Sequence, residues 1–200
     1  MNRIVICEGK TDAILIGYFL SRTRGLKFIG NKNHTLPVLP VKESEQNLSW
    51  FGDKSESASN FAVWSVGGLD RVGPAIKDVV KRNSLEREDE RLFQRLLVMV
   101  DMDDAGIQLR VDQYKKWLQT AELSFPADVV LQAGAWHPFQ YITPAQSKLK
   151  TMHSSLVVIP DSSNGSLETY LLASLAGEGG KQEAVVTAAR GFIKGLGDIS

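Results

Sequence analysis

Apolar residues fall along the chain in short runs separated by helical stripes. Arg3–Cys7 is a β-branched run that breaks at Glu8-Gly9-Lys10. Ala13, Ile14, Ile16, Gly17, Tyr18 and Leu20 follow at helical spacing, with Thr11 or Asp12 as the expected N-cap. Phe61–Val66 reads as a second strand, closed by Gly67-Gly68. Pro74 suits the first turn of a helix running to about Arg82, whose apolar face is Ile76, Val79 and Val80. From Leu96 an unbroken apolar run enters Asp101, Asp103 and Asp104, the pattern of a strand buried on both faces. Ile107, Val111, Tyr114 and Leu118 then mark an amphipathic helix. Val129–Leu131 and Leu156–Ile159 are expected as fourth and fifth strands. Helices are expected over Ser166–Ala176 and from about Lys181 to Lys194.

Other stretches lack such periodicity. Leu36–Val41 is too rich in proline for a central strand and is expected at an edge. Glu43–Asn60 is polar and serine-rich and reads as a surface loop anchored by Trp50. Residues 134–153, with Trp136, Pro138 and Pro144, read as irregular. The alternation of strand and helix predicts one α/β domain over residues 1–200, with a polar insertion at about 27–60. Its sheet is expected to be mostly parallel, with helices on both faces, a Rossmann-like three-layer arrangement.

Composition narrows the setting. Lysine plus arginine and aspartate plus glutamate both number 23 in 200 residues, so no global basic field advertises nucleic acid. Any such contact would use a local patch, and Arg22, Arg24, Lys27 and Lys32 form a small one. The single Cys7 can form neither an internal disulfide nor a zinc cluster. With no signal-peptide pattern, this predicts a cytoplasmic protein. No apolar run reaches the roughly 20 residues of a membrane span.

The chemistry is expected where strands end. Glu8, Asp101 and Asp161 each follow a predicted strand, and in a parallel sheet those ends share one edge. Crowded carboxylates call for a hard cation, Mg²⁺ or Mn²⁺. Asp101 and Asp103, two apart in an extended segment, would point the same way. Asp12 lies one turn after Glu8, and Glu168 follows Asp161 in the next helix, so a second ion is conceivable. Asp104 is read as the cap of the following helix. Set against these are plain structural roles: a turn for Glu8 and Asp161, and a helix-dipole position for Glu168.

Taken together, CEGKTDAILI and VMVDMDDAG resemble the Toprim domain, which carries a glutamate after its first strand and a DxD motif after its third. VVIPDSSNGSLETYLL is similar to OLD-type nucleases and related stand-alone Toprim proteins. The resemblance implies Glu8, Asp101 and Asp103 as catalytic and metal-binding acids, with Glu8 as an alternative general base. It adds Asp12, Asp161 and Glu168 as further metal ligands. It implies a Mg²⁺- or Mn²⁺-dependent nuclease acting on DNA or RNA. The chain departs from OLD nucleases in having no Walker pattern, and Lys181 and Lys194 match their C-terminal lysine by position alone. A non-catalytic module that binds metal and nucleic acid or a protein partner is the alternative, and a homo-oligomer remains open. Dehalogenase-type phosphatases fit less well, because they expect their nucleophilic aspartate after the first strand, and a receiver domain would want a paired acid after the first strand and a late lysine, of which only Glu8 fits.

Overall fold

The computed structural model describes residues 2–29, 47–52, 60–126, 129–143 and 148–159. They build a seven-stranded sheet in the order β2-β3-β4-β1-β5-β7-β6. The strands are β1 (Asn2–Cys7), β2 (Lys27–Phe28), β3 (Asn47–Gly52), β4 (Asn60–Ser65), β5 (Phe93–Asp101), β6 (His137–Thr143) and β7 (Lys148–Ile159). The helices are α1 (Lys10–Arg24), α2 (Val72–Leu85) and α3 (Ile107–Thr120). Among the described residues no helix is long and apolar enough to cross a membrane. The chain divides into two compact units, residues 1–100 with 107–158, and residues 101–106 with 159–200.

In the first unit β1 lies between β4 and β5 and pairs with both in parallel. Three other described pairs depart from the expected parallel sheet. β2 with β3, β3 with β4, and β6 with β7 are antiparallel. The connections carrying α1 and α2 join β1, β4 and β5, which run parallel, whereas the close returns from β3 to β4 and from β6 to β7 give antiparallel pairs. The fold is therefore mixed α/β. The crossover carrying α1 leads from β1 to β4, and the one carrying α2 leads back past β1 to β5. Right-handed connections leaving in opposite directions place α1 and α2 on opposite faces.

Alternation along the strands divides the core. Cys7 and Val63 point to the α1 side, where they meet Leu20 and Leu26, with Ala13, Ile16, Phe51 and Met99 packed around them. Ile4, Ile6, Trp64 and Val98, of the opposite parity, are fully or almost fully buried on the other side. α1 begins where Gly9 leaves the extended strand, and Asp12, at the third helical position, accepts the Gly9 N–H at 2.8 Å. Gly9 thus holds the N-cap expected for Thr11 or Asp12, and Asp12 performs the reach-back of a capping box. The helix stops at Gly25, whose left-handed φ of 63° returns its N–H to the Leu20 carbonyl.

Two stretches read as loop or irregular contain strands. β3 falls inside Glu43–Asn60, and Trp50 is a core residue, 2% exposed, stacked on Phe93 with ring centroids 5.8 Å apart. β6 and the first half of β7 occupy residues 134–153 as an antiparallel pair that buries Phe139, Tyr141 and Thr143 on one side. Pro138 is tolerated because β6 is an edge strand. Val129–Leu131 is not a strand; three apolar residues without alternation carry too weak a signal. The expected segment Leu36–Val41 and the helices after Ser166 lie outside the described residues.

Candidate acidic edge

β1 and β5 run side by side in the same direction, with Cys7 opposite Met99, so both leave the sheet at one edge. Glu8 is the residue after β1, and Asp101 is the last residue of β5. The backbone at Glu8 is fixed by the turn after β4. The Gly67 and Gly68 N–H groups both donate to the Glu8 carbonyl, at 2.8 and 3.1 Å, and Val66 N–H donates to the Cys7 carbonyl at 3.0 Å. This geometry needs Gly67 and Gly68, with φ of 82° and 142°. A two-glycine turn thus caps the strand end from which Glu8 projects.

Cys7, immediately before, is fully buried, and its thiol donates weakly to the Trp64 carbonyl. Burial first, then the charges of Asp12 and Glu8, push that thiol well above its ordinary pKa. It is a core residue, as its place in an apolar strand predicts. Asp12 is also buried, 6% exposed, and one of its oxygens is committed to Gly9. Its structural role is therefore plain.

In the second unit the segment after β5 is a turn. Met102 N–H donates to the Ile159 carbonyl at 2.9 Å, and Ala105 N–H to the Met102 carbonyl at 3.1 Å. Asp103 adopts a left-handed φ of 49°. Asp101 and Asp103 are therefore not the alternating pair of an extended segment, and the shared direction expected for them loses its basis. α3 starts at Ile107, so Asp104 stands three residues before the helix rather than at its N-cap. The DxD motif is a strand end followed by a turn, with the buried Met102 between its acids.

Glu8, Asp12, Asp101 and Asp103 all have interaction partners. Among the described residues, no three of the histidine, cysteine, aspartate and glutamate side chains form a group that could hold a metal ion. Asp161 and Glu168 lie outside the described residues. Of the histidines, His137 accepts the Gln132 N–H at 3.2 Å and His153 is exposed on β7, whereas His34 is not described.

A family model described as a protein of unknown function, DUF3226, matches residues 2–198. None of the curated proteins matches the chain. A solved structure, a hypothetical protein (PH0156) from Pyrococcus horikoshii OT3, is similar with a TM-score of 0.63 at 15% identity. That match covers 98% of this chain and 74% of the other. At that identity the likeness concerns the fold alone.

Proposed function

The chain belongs to the DUF3226 family, and we propose that it is a metal-dependent phosphoryl-transfer protein acting on nucleic acid, a nuclease of the Toprim kind. The core β4-β1-β5, crossed by α1 and α2, would then be the Rossmann-like centre of a Toprim-like layout. The carrying observation is the parallel register of β1 and β5, neighbouring strands of which the first is followed by Glu8 and the second ends in Asp101. In this proposal Glu8, Asp101 and Asp103 hold Mg²⁺ or Mn²⁺, and Asp161 and Glu168 extend the set. Carboxylate oxygens are the donors such hard cations prefer. When bound, the ion would polarise a phosphoryl oxygen and favour attack by water. The chain's own part is positional: Gly67 and Gly68 fix the backbone of Glu8, and burial keeps Asp12 in its capping role. A cytoplasmic location belongs to the same proposal and rests on the lone, buried Cys7.

The test is cleavage of single- and double-stranded DNA and RNA with Mg²⁺, with Mn²⁺ and with chelator. The expected result is metal-dependent cleavage by the native chain and its loss in Asp101→Ala. Cleavage at the native rate by Asp101→Ala would refute the assignment. A second reading, a binding module without turnover, is favoured by the balanced charge of the chain, 23 basic against 23 acidic residues. It predicts that Mn²⁺ and oligonucleotides bind without any cleavage.

A further inference from the structure

At the other end of the parallel strands the charge has the opposite sign. Arg3 of β1 and Arg95 of β5 are direct cross-strand partners. Like charges in such a pair repel and are normally avoided. Arg24, in the last turn of α1, adds a third positive charge to the surroundings of Arg3. Burial, followed by repulsion from Arg95 and Arg24, lowers the pKa of Arg3. Among the described residues, no carboxylate pairs with any of the three. The Arg3 Nε–H is buried and, among the described residues, has no hydrogen-bond partner.

The two guanidinium groups respond by leaning apart. Arg3 lies over the ring of Phe61, its partner on β4, at 4.8 Å from the centroid. Arg95 leans the other way, over Trp136 just before β6, at 5.3 Å. Arg95 also lines a cavity of about 330 Å³, whose wall includes Asp89, Gln94, Tyr141, Lys150, Thr151 and His153. The Lys150 charge there is already met by Asp89, with Nζ to Oδ1 at 2.7 Å. Among the described residues Arg95 thus makes no salt bridge, since the Asp89 carboxylate on the same wall is paired with Lys150.

We propose that Arg3, Arg24 and Arg95 form a binding site for a phosphate-type oxyanion, with the adjoining cavity receiving the group that carries it. An anion between the guanidinium groups would offset their repulsion. Arginine suits this task because its planar fork matches phosphate oxygens. The site is separate from the acidic edge. It lies at the start of β1, and Glu8 follows that strand's end, about 17 Å away at strand rise. The oxyanion has two possible sources, a nucleic-acid backbone or a free phosphorylated small molecule.

The experiment is thermal unfolding of the full chain in chelator, which removes any metal from the acidic edge. Inorganic pyrophosphate is compared with sodium chloride at equal ionic strength. Pyrophosphate should raise the midpoint of the native chain beyond the chloride control. Arg95→Gln should weaken pyrophosphate binding about tenfold or more, and without anion it should be at least as stable as the native chain. Arg24→Gln, exposed on α1, provides a second variant that does not touch the sheet. No pyrophosphate effect in the native chain, or an equal effect in both variants, would overturn the site. A labelled single-stranded oligonucleotide separates the sources. Binding that pyrophosphate displaces identifies a nucleic-acid backbone, and a pyrophosphate effect without oligonucleotide binding identifies a small phosphorylated ligand.

Discussion

Asn83 is fully buried near the end of α2, and its amide does the work of a neighbouring strand. It donates to the Phe93 carbonyl at 2.8 Å and accepts the Phe93 N–H at 2.9 Å, closing both backbone groups at the start of β5. Asn83→Ala would leave two buried backbone groups unpaired and should cost about 1–3 kcal/mol in urea unfolding. Three residues on, Glu86 ends the same helix. Burial would raise its carboxyl pKa, but the Glu88 and Arg87 N–H groups, with Arg82 and Arg91, more than reverse this and hold it below the ordinary value of 4.5. Because the folded pKa is depressed, this stabilisation is present above about pH 4.5 and is lost as pH falls through the folded value. Glu86→Gln should therefore be less stable than the native chain at pH 7, by about 1 kcal/mol. The gap should close in acid, and a gap independent of pH would contradict the assignment. Cys7, with its raised thiol pKa and full burial, should label with a thiol reagent only as fast as the core opens.

Among the elements, α2 and α3 touch through a glycine. A Cβ on Gly73 would lie 2.5 Å from Trp117 Cδ1, so the tryptophan occupies the space a side chain would fill. Gly73→Ala should destabilise by about 1–3 kcal/mol, as overpacking does, although alanine favours helix. Equal or higher stability would mean that the helices can slide apart without cost. Legibility in the sequence also divides by element. β1, α1, β4, α2 and α3 could be read because their apolar residues keep a single period over several positions. β3 could not, because Asn47–Gly52 offers just Leu48, Trp50 and Phe51 within a polar setting. Its burial comes from pairing with β4, a contact far along the chain. β6 does carry alternation, with Phe139 and Tyr141 buried between exposed neighbours, and Pro138 concealed it. The parallel direction of the whole sheet was over-read from the two crossovers that do exist.

For the molecule as a whole, the sequence placed Glu8 and Asp101 on strands that prove to be parallel neighbours. It did not foretell the turn at Asp103, whose left-handed φ depends on the chain folding back after Met102. It also passed over the opposing charge at the far end, because Arg3 and Arg95 are distant in sequence and become partners through register alone. Metal binding by the acidic edge is measured most directly by calorimetric titration of the native chain, Glu8→Gln and Asp101→Asn with Mn²⁺. Saturable binding by the native chain that both substitutions abolish is the predicted result. No binding by the native chain, or binding that survives in both variants, would contradict it.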